Sequence, residues 1–87
     1  MIKLNDFFKI NNTYIVINHC LNTKILKKVL RIENDTITWK DTNGIVTNLY
    51  IGPKTQLYYD NKFKFVNTTL EVSNLIHGMF LTVLPCK

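Results

Sequence analysis

The amino-acid sequence predicts a small, mainly β domain, best classed as a β-rich α+β fold. Three observations carry this prediction. Apolar and polar residues alternate in several short segments, Asn, Asp and Gly separate those segments at turn spacing, and 87 residues suffice for one domain, residues 1–87. A meander of short, bent strands usually curls into a small barrel. We therefore expect a curled antiparallel sheet, or an SH3-like or OB-like barrel, of about six short strands with one short C-terminal helix.

The hairpin over residues 36–51 is the clearest local signal. Apolar residues alternate with polar ones on both sides of an Asp-Thr-Asn-Gly turn, which suits a chain that enters positive φ at Gly44. A three-residue loop pairs Trp39 with Thr47, whereas a two-residue loop pairs Trp39 with Asn48. The three-residue loop is preferred because a slip by one residue would send half of the apolar set to water. The set that it gathers on one face is Ile37, Trp39, Leu49 and Ile51.

The other elements follow from the same patterns along the chain. Residues 5–9 predict one helical turn because Leu4, Phe7 and Phe8 fit one helical face, and pairing of residues 7–10 with the next strand is the alternative. Strands are predicted at residues 13–18, 55–59, 63–66 and 79–84, and turns or loops at residues 18–23, 34–35 and 60–61.

Residues 67–77 predict the C-terminal helix. Thr68 and Glu71 have the spacing of a capping box, and Gly78 follows at the position of a C′ glycine. Four apolar residues have helical spacing: Val72, Leu75, Ile76 and Met79. We therefore expect a short helix before the last strand.

Residues 24–33 are compatible with two structures. As a helix, the segment is amphipathic and places four cations on one face: Lys24, Lys27, Lys28 and Arg31. As a strand, it places one apolar set, Leu26, Leu30 and Ile32, on one face and a second, Ile25 and Val29, on the other. The strand is preferred because the hairpin over residues 36–51 needs a third strand beside it.

The composition favours acidic partners and a cytoplasmic protein. The net charge of +5 and the pI near 9.4 favour nucleic acid, nucleotides or an acidic protein surface, although excess lysine also serves solubility alone. Ten Lys against one Arg, with no Ala, indicate an AT-rich genome such as that of many phages, so the choice of Lys over Arg carries little functional information. The apolar runs are too short to span a membrane, and the first residues do not resemble a signal peptide. We expect a cytoplasmic location (the host cytoplasm if the gene is viral) and free thiols at Cys20 and Cys86.

Residue types that catalyse reactions or bind metals do not form a motif. The candidate metal ligands show no CxxC, HxxxH or other paired spacing: His19, Cys20, His77 and Cys86. A Cys20–His77 pair would lack a glycine-rich oxyanion loop, and the three glycines do not form a phosphate loop. We expect a protein that is not an enzyme, with no metal site and no cofactor.

Cationic and aromatic residues form the candidate ligand-binding set. Its members are Lys24, Lys27, Lys28, Arg31, Tyr50, Tyr58, Tyr59, Lys62 and Lys64. A basic groove with stacking rings suits single-stranded nucleic acid or a nucleotide, because cations bind phosphates and aromatic faces bind bases. The competing interpretation is structural, since tyrosines of small barrels often lie half-buried and edge lysines prevent aggregation. The set predicts a small basic binding module for a phosphate-bearing ligand.

A protein-interaction module is the alternative function. Small size, the AT-rich bias and strand edges that could accept a partner strand suit a phage-type inhibitor or adaptor. A third function is an oligomeric structural subunit that buries its apolar segments 7–8 and 79–80 by self-association. Charge reversal at Lys27 and Lys28 should abolish binding under the first function, whereas apolar and edge residues should matter more under the second.

Overall fold

A computed structural model of the chain describes residues 4–52, 61–74 and 78–86. A short helix, α1 (Leu4–Phe7), is the helical turn predicted near residues 5–9. It precedes seven strands: β1 (Thr13–Asn18), β2 (Thr23–Glu33), β3 (Thr36–Asp41), β4 (Val46–Tyr50), β5 (Lys62–Val66), β6 (Thr69–Asn74) and β7 (Met79–Pro85). The strands form one antiparallel sheet in the order β4-β3-β2-β1-β7-β6-β5. The sheet curls into a half-barrel, which confirms the predicted fold class.

The β3–β4 hairpin has the predicted three-residue register. Trp39 lies opposite Thr47. Gly44 has a φ of +81°, and its N–H donates to the carbonyl of Asp41 at 3.1 Å. The predicted apolar set is buried: Ile37, Trp39, Leu49 and Ile51. Turn chemistry and alternation therefore agree in this hairpin.

β2 confirms the preferred strand over residues 24–33, and the helical alternative is wrong. A two-residue turn joins β2 to β3, and its residues Asn34 and Asp35 both have positive φ, at 51° and 59°, as a type I′ turn requires. A β-bulge between Val29 and Arg31 then shifts the register. Because of this extra residue, Ile32 lies opposite the buried Ile37, on the side of Val29 rather than with the set predicted for the other face.

β6 replaces the helix that the sequence predicts over residues 67–77. Asn67 has a φ of 58° and lies in a two-residue turn, and a six-residue strand follows instead of a capped helix. Alternate side chains of this strand are buried: Leu70, Val72 and Asn74. The helix prediction is wrong because helical and alternating spacing coexist in this segment, and pairing with both β5 and β7 favours the alternation. Residues 75–77 lie outside the described part.

The buried side of the sheet, called the inner face here, forms the core together with the chain around α1. Phe8 is 1% exposed and packs edge-to-face on Trp39, with ring centroids 5.9 Å apart. The buried Tyr14 hydroxyl donates to the carbonyl of Phe7 and accepts the N–H of Lys9, both at 2.8 Å. This N-terminal segment therefore closes one end of the inner face.

The curl of the sheet brings its first and last strands together. The side-chain N–H of Asn61, next to β5, donates to the carbonyl of Tyr50 at the end of β4 at 2.9 Å. The side chain of Asn74, at the end of β6, donates to Asn61 Oδ1 at 2.9 Å. Both amides are buried, and the two hydrogen bonds form a chain from Asn74 through Asn61 to the carbonyl of Tyr50. The strand predicted at residues 55–59 lies outside the described residues, and the strand predicted at 63–66 is β5, which pairs with β6.

Candidate functional site

β2 and β3 carry four cations on the side of the sheet opposite the core, called the outer face here. Directly paired residues point to the same side of a sheet, so the strand registers assign each side chain to a face. Lys28 lies opposite Lys40, and the two flank a surface depression of about 380 Å³. Lys24 and Arg31 lie on the same face. Lys40 was not among the predicted site residues, because only the pairing of β3 with β2 places it beside Lys28.

Lys27 differs from its neighbours, since its side chain lies on the inner face opposite the buried Tyr14. Its Nζ donates to Thr47 Oγ1 at 2.9 Å and lies 5.2 Å from the centroid of the Trp39 ring. Burial lowers the pKa of Lys27 below its ordinary value, and the charge of Asp41 opposes part of this shift. The strand therefore divides the predicted cluster of four cations into three on the outer face and one inside.

The other two cations of the predicted ligand-binding set, Lys62 and Lys64, lie at the other end of the sheet. Lys62 and Lys64 are exposed on β5, and Lys64 lies opposite Glu71 of β6. Glu71 and Phe80 line a shallow depression of about 370 Å³ together with both lysines. The registers place both lysines on the outer face.

The predicted tyrosines are Tyr50, Tyr58 and Tyr59, of which the last two lie outside the described residues. Tyr50 is half-buried on the outer face of β4, opposite Thr36. Its carbonyl accepts the side chain of Asn61, the residue before Lys62. This hydrogen bond places the backbone of Tyr50 close to the start of β5.

An exposed phenylalanine on β7 is the aromatic group that sequence reasoning missed. Phe80 is 40% exposed, and its ring centroid lies 4.7 Å from that of His19. His19 Nε2 is hydrogen-bonded to Thr82 Oγ1 at 2.7 Å, which holds the imidazole beside the phenyl ring. Phe80 lies opposite Ser73 of β6, and Ser73 lies opposite Lys62 of β5. The sequence signals only an apolar Met79-Phe80 pair; the exposed ring follows from the pairing of β7 with its neighbours.

One continuous row of outer-face residues crosses the sheet from β2 to β5: Lys24, Ile17, Thr82, Glu71 and Lys64. Neighbouring strands lie about 4.8 Å apart, so four strand spacings separate the two lysines by about 19 Å along the sheet. Phe80 lies two residues from Thr82 and therefore on the same face. The ring thus occupies the outer face between the two groups of cations.

Acidic residues only partly balance this positive face. Glu33 forms an ion pair with Arg31 at 3.9 Å, but both side chains are more than half exposed, and such pairs are weak. Glu71 lies between Lys64 and Thr82. On the outer face of these strands, six cations accompany the carboxylates of Glu33 and Glu71, and the third carboxylate of the strands, Asp41, lines the depression beside Lys28 and Lys40. The face retains a positive charge that attracts anions, and its cations are Lys24, Lys28, Arg31, Lys40, Lys62 and Lys64.

Groups for other chemistry are sparse in residues 4–52, 61–74 and 78–86. Across these segments, no three His, Cys, Asp or Glu side chains come together to hold a metal ion. Cys20 and Cys86 are exposed free thiols, and Cys20 Sγ donates to the carbonyl of Gly78 at 2.8 Å. His77 lies outside the described part. The same segments contain no helix of the length and apolarity that crossing a membrane requires.

Comparisons of the chain with protein-family models, with curated proteins and with solved structures give no match. Function must therefore be inferred from the chemistry of the molecule's own surfaces.

Proposed function

We propose that this protein is a non-catalytic module that binds single-stranded nucleic acid across its outer face. The observation that carries the proposal is the exposed Phe80 ring between two groups of cations, one on β2 and β3 and the other on β5. Cations neutralise phosphates, and an aromatic ring offers a face on which a base stacks. Since every base has such a face, we expect weak sequence specificity.

An extended strand suits the spacing of these groups better than a mononucleotide or a duplex. Lys24 and Lys64 lie on either side of Phe80, about 19 Å apart along the sheet. A mononucleotide that stacks on Phe80 has its phosphate on one side of the ring only, so it could reach only one of these two lysines. A duplex keeps its base faces stacked inside, so Phe80 would meet no base without local unpairing. A single strand brings several phosphates and unstacked bases to the same surface.

The simplest competing explanation is nonspecific electrostatic attraction between nucleic acid and a basic protein. Substitution of two adjacent lysines distinguishes this explanation from a defined binding face. Lys28→Met removes a cation from the outer face, and Lys27→Met removes the same charge from the inner face. Both changes lower the net charge of +5 by one. If net charge alone attracts nucleic acid, the two variants weaken binding equally.

The experiment is fluorescence anisotropy of labelled single-stranded DNA and RNA over a range of salt concentrations. We expect saturable binding in the wild type and a log–log salt slope of about −0.7 for each phosphate contacted. Lys28→Met should reduce the magnitude of the slope by about 0.7, and Lys27→Met should keep the wild-type slope. Equal losses in the two variants, or no saturable binding at low salt, would overturn the proposal.

Phe80→Ala tests the stacking contribution separately from charge. Truncation of a stacking ring costs about 1–3 kcal/mol of binding free energy. We expect this loss at every salt concentration with the salt slope unchanged, since no cation is removed. A change confined to the slope would contradict the role proposed for the ring.

An aliphatic row on the outer face favours a protein partner as the second candidate. Leu26 of β2, Ile15 of β1 and Leu84 of β7 lie opposite one another, and Leu26 is 41% exposed. Under this function, the partner presents an acidic surface with an apolar centre, and Leu26→Gln weakens binding more than Lys28→Met does. Self-association is the homo-oligomeric form of this candidate, and a mass independent of concentration in sedimentation experiments would exclude it.

A cytoplasmic location belongs to the same proposal. The free thiols of Cys20 and Cys86 fit a reducing compartment, where nucleic acids are also present. Alkylation in intact cells followed by mass spectrometry should find both thiols reduced, and a disulfide would contradict this location.

A further inference from the structure

The inner face is not filled along its whole length. The chain around α1 closes the end at which Phe8 packs on Tyr14 and Trp39. Toward the β1–β2 turn, the same face opens as a cleft of about 300 Å³. Its walls are mostly apolar in area and include Val16, Ile25, Leu49 and Leu81. Four uncharged polar residues also line it: Asn18, Thr23, Thr47 and Asn48. This volume lies at the lower end of the range for small-molecule pockets, which are mostly apolar with a few convergent polar groups.

The ammonium group of Lys27 is the charged group at the wall of this cleft. In the described segments, no carboxylate oxygen lies within ion-pair distance of its Nζ, which is hydrogen-bonded to Thr47 at 2.9 Å. Asp41 lies opposite Lys27, but its Oδ1 accepts the backbone N–H groups of Asn43 and Ile45 at 2.8 and 3.0 Å. The carboxylate of Asp41 thus stabilises its turn, and the ammonium group remains available to an anion from outside the chain.

The walls of the cleft restrict what can accompany that anion. Trp39 is 2% exposed, so its ring does not offer a face on which an aromatic ligand could stack. Ile25 is 37% exposed and Leu21 is 71% exposed, so aliphatic surface reaches the mouth of the cleft. An aliphatic chain gains free energy by covering such surface. A half-buried ammonium group also gains from a bound anion, because burial has removed part of its hydration.

We propose that this cleft binds a medium-chain aliphatic carboxylate. The chain lies against Val16, Ile25 and Leu81, and the carboxylate accepts hydrogen bonds from Lys27 Nζ and lies near Thr47. The cleft and the nucleic-acid surface lie on opposite faces of the sheet. Each site can therefore be present without the other.

The experiment uses the protein's single tryptophan, Trp39, as the reporter, because it lines the cleft. The purified wild type is titrated with decanoate and with decanol, which have equal chain lengths and differ in charge. We expect a saturable change in tryptophan emission, with decanoate bound more tightly than decanol. Equal affinity for the two ligands, or no change with decanoate, would overturn the proposal.

The adjacent lysines again provide matched variants. Lys27→Met retains most of the side-chain volume and should weaken decanoate binding by about 10-fold without changing decanol binding. Lys28→Met, on the other face, should leave decanoate binding at the wild-type value. Equal effects of the two substitutions would overturn the role of Lys27. Circular dichroism of both variants checks that they fold.

Methyl chemical shifts of the wild type locate the ligand without any variant. Decanoate should shift the signals of Val16 and Leu81 and leave that of Leu26 on the outer face unchanged. Shifts at Leu26 instead would place decanoate on the outer face and overturn the proposal. If the protein without ligand forms a dimer that buries Leu21 and Ile25, a second copy of the chain covers the mouth of the cleft. That result would overturn the proposal that the cleft binds a carboxylate.

Discussion

Lys27 and Lys28 are adjacent residues of the same type, yet they lie in opposite environments. Lys27 is half-buried near Trp39 in an apolar cleft, whereas Lys28 is exposed opposite Lys40. On a helix, both would belong to one basic face. In β2, alternation separates them. The two lysines carry the same charge, but the two-residue repeat of the strand places them on opposite faces of the sheet. The secondary structure therefore determines which ligand each lysine can contact.

The same contrast holds for two phenylalanines. Phe8 is 1% exposed in the core, and Phe80 is 40% exposed on the outer face. Composition and hydropathy do not distinguish them. Their positions relative to the sheet assign one to stability and the other, in our proposal, to ligand binding.

Truncation of these two rings should give the largest difference in stability. Phe8→Ala removes contacts with Tyr14 and Trp39 and should lower the free energy of unfolding by about 3–5 kcal/mol, which is comparable to the whole stability of a small domain. Phe80→Ala should cost less than about 1 kcal/mol. Urea unfolding followed by circular dichroism measures both. Similar losses would place Phe80 in the core and remove the contrast between the faces.

Tyr14→Phe should have an intermediate effect. The substitution removes the hydroxyl that donates to Phe7 and accepts from Lys9, and the loss should be about 1–3 kcal/mol. Burial raises the pKa of Tyr14 above 10.0, so above that pH the folded protein holds more protons than the unfolded chain. The stability that Tyr14 supplies is therefore fully present below pH 10.0 and is lost as the pH rises through the folded pKa.

Urea midpoints of wild type and Tyr14→Phe, measured at neutral pH and above pH 10, check this sign. The difference between the two proteins should shrink at the higher pH. A difference that grows would mean that the phenolate is stabilised in the folded protein.

Lys27→Met should have the smallest effect on stability and a distinctive pH dependence. Burial lowers the pKa of Lys27 below 10.5, so between the folded pKa and 10.5 the unfolded chain holds more protons than the folded one. The free energy of unfolding of the wild type should therefore rise with pH in this window relative to the variant, by less than about 1 kcal/mol. Tyr14 is present in both proteins, so its titration cancels. A difference that stays flat would show that the ammonium group is as hydrated in the cleft as in the unfolded chain.

The accuracy of the sequence predictions depends on whether local signals agree. In the β3–β4 hairpin, alternation and the turn around Gly44 point to one register, and that register is present. In β6, the alternation of Leu70 and Val72 competes with helical spacing, and neighbouring strands decide between them. The bulge after Val29 has no Gly or Pro to signal it, so the face of Ile32 was predicted wrongly.

The candidate site also contains residues that the sequence identifies and residues that only strand pairing places there. Lys24, Lys28 and Arg31 were selected for their charge, and their common face follows from the strand period and the bulge. Lys40 becomes part of the surface through the register set by the Asn34-Asp35 turn and the bulge. Phe80 lies beside His19 because β1 pairs with β7, and no local pattern predicts a pairing over that separation.

By itself, the sequence determined the mainly β class, the β3–β4 hairpin and the positive charge. Alternation and turn chemistry act over a few residues, so local sequence suffices for them. Only the tertiary structure decided that β1 pairs with β7, that β6 is a strand and that Lys27 lies in a cleft while Phe80 lies between two groups of cations. These features depend on which distant segments pair and on how the sheet curls, and burial of the apolar core side chains of the inner face favours both.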